Sequence, residues 1–217
     1  ELMASILLEA GDPVSAAFNC SKALGLSMQS NGFDSANVIS LHMTLFQMLY
    51  AAHELDAAAK HLRATIYLLE LMSGPRHIEL YTSYHKLGSV YSYSDYEEKY
   101  AASALHFFRE AQNRENSDRL MDGFIAKNCS KALETLELYK DALEEEKKAY
   151  KTFILFLTKD HQLTKESDES LQRLTKLAVE KGNKLRVEAA VAEALQLNRS
   201  STEDKKKKKK KKKQGKK

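Results

Sequence analysis

A spacing of 42 residues recurs through this chain and limits what it can fold into. Four segments carry a small residue, then six others, then a second small residue: Ala16 and Ala23, Ala58 and Thr65, Ala104 and Ala111, Ala142 and Ala149. Seven residues make two helical turns, so each pair lies on one stripe of a helix that a neighbouring helix can approach closely. Upstream of the third pair, Tyr84-x-x-Leu87-Gly88-x-x-Tyr91 places four residues on one helix face, with Gly88 as the point of closest approach. Twelve residues before the first alanine of each other repeat stand Ala4, Phe46 and Ser130. Positions 4, 46, 88 and 130 are thus equally spaced, although the third repeat carries four extra residues between its helices, around Tyr93 to Tyr100. A fixed period of this length is the mark of stacked supersecondary units, each too small to bury its apolar face alone.

The composition agrees, with 2 Pro, 8 Gly and no Trp in 217 residues rich in Ala, Leu, Glu and Lys. The pattern predicts helix pairs at about 1 to 10 with 13 to 28, 35 to 52 with 56 to 73, 77 to 93 with 96 to 115, and 118 to 138 with 140 to 158. Gly11-Asp12-Pro13, Gly74-Pro75 and Asn116-Ser117-Asp118 supply breakers and caps at these boundaries. A helix from about 164 to 181 follows, with Leu171, Leu174, Leu177 and Ala178 on one stripe. After Gly182-Asn183 a last helix is expected to reach about Leu197. These closing helices shield the open end of the stack. The expected architecture is all-α: a right-handed tetratricopeptide-like solenoid of four helix pairs over 1–158, closing helices over 159–198, and a disordered tail over 199–217.

The net charge of +4 hides an asymmetry. The thirteen residues from Lys205 to Lys217 hold eleven lysines and no acid, and without them 23 basic residues face 30 acidic ones. The nine-residue run Lys205, Lys206, Lys207, Lys208, Lys209, Lys210, Lys211, Lys212 and Lys213 repels itself and presents point charges to a polyanion. RNA or a ribosomal surface would be held through counterion release, without regard to sequence. An anionic membrane surface, acidic tubulin tails and plain solubility are the alternatives. Ser200, Ser201 and Thr202 are candidate phosphorylation sites that would weaken the tail's field. No apolar run reaches the roughly 18 to 20 residues of a membrane span, and the first residues lack a signal peptide's basic region. The reading is a soluble chain, and the missing initiator Met leads us to expect a piece of a longer one.

The seven histidines and two cysteines form no HExxH, no CxxC and no mixed cluster, so no metal is expected. Cys20 and Cys129 read as small buried side chains in a reducing compartment. GxSxG, GxxxxGK[ST] and GxGxxG are absent, which leaves no catalytic residues and no cofactor to propose. In a stack of helix pairs the first helices line the groove. This selects Gln47 and Tyr50, Ser89 and Tyr93, and Lys131 and Glu134, with Lys86, Lys127 and Asn128 beside them, as a surface for an extended or helical peptide. Of the tyrosines between Tyr81 and Tyr100, Tyr84 and Tyr91 belong to the repeat core, while Tyr93, Tyr96 and Tyr100 stay open to base stacking.

Gly74-Pro75-Arg76-His77 before Tyr84-x-x-Leu87-Gly88 resembles the linker and first helix of the long repeats of kinesin light chains and of the clustered mitochondria family. Asp160-x-x-x-Thr164-Lys165-Glu166-Ser167, followed by Leu171-x-x-Leu174-Thr175-x-x-Ala178-Val179, resembles the segment that closes the repeat domain in clustered mitochondria proteins. The likeness covers about residues 1 to 182. His85 and Lys86 stand where such repeats often carry paired Asn. The resemblance implies the C-terminal repeat region of a large, non-enzymatic, cytoplasmic protein that governs mitochondrial distribution. It also implies association with messenger RNA for mitochondrial proteins and, as in fungi, with translation initiation factor 3. Peripheral contact with mitochondria would follow. The alternative is a kinesin-light-chain-like cargo adaptor whose groove reads peptides.

Overall fold

The computed structural model describes residues 2–93, 97–114 and 118–214, and the side chains of residues 2, 4, 5, 8, 97, 98 and 189–214 lie outside that description. Its helices run as consecutive antiparallel partners: α1 (Leu2–Glu9) with α2 (Pro13–Asn31), α3 (Ala36–Ala51) with α4 (Leu55–Ser73), α5 (Ile78–Tyr91) with α6 (Glu97–Gln112), and α7 (Arg119–Thr135) with α8 (Tyr139–Leu157). A long helix, α9 (Gln162–Gln214), follows. Among the described residues no strand is present. The starts of α2 and α7 are capped by aspartates that their sequences offer. Asp12 Oδ1 accepts from the Ser15 amide at 3.0 Å ahead of Pro13, and Asp118 Oδ1 accepts from Leu120 and Met121 at 3.1 and 3.2 Å.

The period is written into the backbone as well. Every described residue with positive φ falls on one of two phases 42 residues apart: Gly11, His53 and Glu137 within pairs, and Gly32, Gly74 and Thr158 between pairs. Each follows a helix end, where positive φ lets the chain turn away, and the amides of His53, Gly74 and Glu137 reach back to carbonyls of the last turn. Glycine meets that need at no steric cost in three of the six, and His53, Glu137 and Thr158 adopt it against their preference. The counterparts in the third repeat, 95 and 116, lie outside the described residues.

Packing follows from the small-residue stripes. Ala16, Ala58, Thr65, Ala104, Ala111, Ala142 and Ala149 have no exposed surface, and Ala23 is half-buried. One cluster joins α2 to α3 and α4 through Ala16, Ala17, Cys20, Leu24, Leu45, Met48 and Leu68. A larger one runs from Phe46 on α3 to Leu174 on α9. The two residues facing each other at the closest approach within a pair trade size between repeats. Phe46 stands with Leu62, Gly88 with Phe108, and Ser130 with Glu146, all six buried. At the second of these a Cβ on Gly88 would lie 2.6 Å from Phe108 Cδ1 and Cε1, so the ring rests on bare backbone.

Two sequence expectations need correction. The helix that closes the stack does not break at Gly182-Asn183, and no separate last helix follows, because α9 is continuous from Gln162 to Gln214. A single glycine costs a helix only about 1 kcal/mol, and nothing packs within 4 Å of where a Cβ on Gly182 would sit. Nor does the tail expected to be disordered over 199–217 lack regular structure: the backbone of Lys205 to Lys213 continues α9. Lysine is a good helix former, and adding residues to an existing helix avoids the cost of nucleation. The side chains of Lys205 to Lys213 lie outside the described residues, as does Tyr96.

Three histidines are held neutral within the stack. His42 and His61 place their Nδ1 atoms 2.9 Å apart across α3 and α4, an arrangement that needs one donor and one acceptor. Burial lowers the pKa of both, with each other's charge adding to the effect at His42. Burial and neighbouring Lys86 lower that of His85. The unfolded chain therefore takes up protons at these positions before the folded one does, and their stabilising contribution is lost as pH falls below about 6.5. Thermal denaturation between pH 7.5 and 5 should show stability declining by up to about 1.4 kcal/mol per pH unit for each histidine titrating. The H42Q/H61Q double variant should flatten the decline.

Candidate functional site

The first helices α3, α5, α7 and the start of α9 lie side by side, and residues about one period apart meet across them. Lys86 Nζ on α5 lies 3.8 Å from Met43 Sδ on α3, and Asn128 Nδ2 on α7 donates to His85 Nε2 at 3.1 Å. Lys127 Nζ pairs with Glu166 at 3.0 Å, Arg173 with Glu134 at 2.9 Å, and Lys181 with Glu137 at 2.9 Å. The last three tie α9 to α7 and to the turn after it, so α9 completes the face.

Two clefts open along this surface. One, of about 600 Å³, lies between α3, the end of α4 and α5, with Ile39, Met43, Leu69 and Met72 among its walls and Gln47, Glu79 and Lys86 at polar positions. The other, of about 500 Å³, lies between α7 and α9 with Glu146 of α8, and is lined by polar and charged side chains that include Lys127, Asn128, Lys131, Glu134 and Arg173.

The groove residues selected from the sequence thus divide among four places. Gln47 and Lys86 share the first cleft, while Lys127, Asn128 and Lys131 share the second. Tyr50 and Tyr93 make an edge-to-face contact at 6.2 Å, and the Tyr93 hydroxyl meets His53 Nδ1 at 2.9 Å. These rings pack on each other at the turn between helices. Ser89 is turned back on its own helix, donating to the His85 carbonyl at 3.0 Å. Tyr100 packs on Tyr91, with ring centroids 5.4 Å apart. The cysteines are both buried, and burial pushes the Cys129 thiol up to about 12, far from thiolate reactivity. Among the described residues no three His, Cys, Asp or Glu side chains gather to hold a metal ion.

Sequence reasoning missed the polar node at the floor of the second cleft. Glu146 is almost wholly buried on α8, and Ser167 on α9, also buried, donates to its Oε1 at 2.5 Å. Ser130 on α7 hydrogen-bonds it as well. Burial raises the Glu146 pKa, against the pull of the two hydroxyls and of Lys127. The signal was present. Glu146 falls on the stripe between Ala142 and Ala149, at the phase held by Cys20, Leu62 and Phe108 in the other repeats, and a carboxylate there requires donors. Thr164, whose hydroxyl donates to the Thr158 carbonyl at 2.8 Å, and Leu174, in the main cluster, complete the docking of α9. The motif from Asp160 to Val179 is therefore, in physical terms, the set of contacts that seats this helix.

No protein-family model matches the chain. Over 183 residues, 82% of this chain, it is 28% identical to a clustered mitochondria protein homolog of Brugia malayi and equally to one of Homo sapiens. The chain is thus similar in sequence to clustered mitochondria proteins. It spans 12% and 14% of the length of those two relatives. In three dimensions it resembles the nearly identical TPR-like repeats of a Podosopora anserina chain assigned as a kinesin light chain, with a TM-score of 0.64, 13% identity, and coverage of 83% of this chain and 85% of that one. BtubC (BKLC) from P. vanneervenii gives a TM-score of 0.62 at 16% identity, over 71% and 61% of the two chains. These likenesses establish the TPR-like solenoid and nothing finer. Among the described residues no helix is long and apolar enough to cross a membrane.

Proposed function

We propose that the first-helix face holds a protein partner within a cytoplasmic messenger-ribonucleoprotein or translation-initiation assembly linked to mitochondrial distribution, and that the C-terminal lysines add unspecific attraction to RNA. The two clefts carry the proposal, because the first sets polar groups beside apolar walls and the second adds charged and hydrogen-bonding groups on the same face, a combination suited to peptide recognition by a solenoid. Similarity to proteins named for clustered mitochondria is what supports the proposed cellular setting. The lysine run supplies the charge: nine consecutive cations release counterions from any phosphate chain they neutralise.

Crosslinking in cells, followed by sequencing of bound RNA and mass spectrometry of copurifying proteins, tests both halves. Deletion of Lys205 to Lys217 should lower RNA recovery at 50 mM salt by at least about tenfold and flatten its dependence on salt. Replacing Gln47 and Lys131, both exposed on the face, with bulky acidic residues should remove protein partners while leaving RNA. Unchanged RNA recovery after the deletion overturns the role of the tail. Recovery of motor heavy chains without initiation-factor or ribosomal subunits overturns the assembly and favours a cargo adaptor.

A further inference from the structure

The 42-residue period allows each exposed apolar side chain to be compared with its counterparts in the other repeats. At the α1–α2 end, Met3, Ile6 and Leu26 are 60%, 52% and 66% exposed. The counterparts of Met3 are Leu45, Leu87 and Cys129, each 1% exposed, and those of Ile6 are Met48, Val90 and Ala132, at 1%, 2% and 5%. Leu26 corresponds to Leu68, 8% exposed. What covers Leu45, Met48 and Leu68 is the second helix of the preceding pair, since all three lie in the cluster that contains Ala16, Ala17, Cys20 and Leu24 of α2. The next counterpart of Leu26, Arg114, likewise reaches back to Glu70 of α4 at 3.2 Å.

Other exposed apolar residues of α2 do not share this property. Phe18 corresponds to Lys60, His106 and Glu144, all exposed, so its phase faces solvent in every repeat. The three residues on the stacking phases stand apart from it: an apolar surface buried in the second repeat and bare in the first.

We propose that the end of the stack formed by α1 and α2 is a docking face for another helix–turn–helix repeat. Its second helix lies on Met3, Ile6 and Leu26 as α2 lies on Leu45, Met48 and Leu68. Continuity with the interface already present between repeats identifies the occupant. It is a helix with small residues two turns apart, whose backbone comes close enough to seal the three side chains, and not a peptide in extended form.

The period itself supplies the probe. Residue 85 stands in the phase of residue 1, so a copy of residues 36–84 placed directly before Glu1 adds one helix pair in register. In that extended chain amide exchange across α1 and α2 should slow by at least about tenfold. Leu26→Glu and Ile6→Glu should each reverse the slowing. In the original chain, where both positions are exposed, the same substitutions should leave exchange and helical content unchanged. Unaltered exchange in the extended chain, an added segment that stays non-helical, or substitutions that act alike in both chains overturns the proposal. So does an original chain that sediments as a dimer and is returned to monomer by Leu26→Glu, which would assign the face to a second copy.

Discussion

Phe108→Ala is expected to lower the unfolding free energy by about 3 to 5 kcal/mol, read by chemical denaturation. The side chain has no exposed surface and lies where α5 and α6 come closest, over a residue with no side chain of its own. Truncation leaves a ring-sized void that Gly88 cannot help to fill, so relaxation is limited to backbone movement. The reverse change tests the same contact from the other side. Gly88→Ala removes glycine's entropic penalty, worth about 1 kcal/mol in a helix, but forces a methyl group against the Phe108 ring. Overpacking of a dense core costs about 1 to 3 kcal/mol, so the net effect should be destabilising. Phe108→Leu in the Gly88→Ala background should recover part of the loss, a coupling that independent sites would not show.

Glu146→Ala should cost about 2 to 3 kcal/mol, concentrated in α9. The carboxylate is the shared acceptor for Ser167 on α9 and Ser130 on α7, and its removal strands two buried hydroxyls. Hydrogen exchange should rise across residues 162–182 before the rest of the stack responds. Lys127 should become more mobile as its partner Glu166 moves with α9. Glu146→Gln keeps an acceptor and the volume, and should cost less than half as much. Equal losses for both replacements would mean that filling the space matters and accepting the two hydrogen bonds does not.

These two positions show what was legible beforehand. The repeat could be read because close approach of helices admits few residue types, and Ala58, Ala104, Ala111, Ala142 and Ala149 announce it through their size. The same spacing placed the helix ends within a few residues, since caps such as Asp12 and Asp118 act locally. Gly88 was recognisable as a contact point, but Phe108 as its cover was not, because that pairing depends on how two helices lie across an inserted loop. Glu146 needed a comparison of phase across repeats. The groove was only partly visible. The partners of Lys127, Asn128 and Tyr93 left no sign, because Glu166, His85 and His53 stand 39 to 43 residues away. Long flexible side chains leave no periodic mark of whom they meet. The continuity of α9 through Gly182 was hidden for a different reason: one glycine weakens a helix without ending it, and nothing packs within 4 Å of where its Cβ would sit.

Each helix packs chiefly on those next to it in the chain. Loop closures are therefore short, and structure can nucleate in any repeat and spread outward without waiting for distant segments to meet. Loss of structure should follow the same geography, starting at the thinly packed α1 and advancing inward one pair at a time. The protein then behaves as a row of coupled springs, in which damage at one end is felt at the other only after passing through every pair between them.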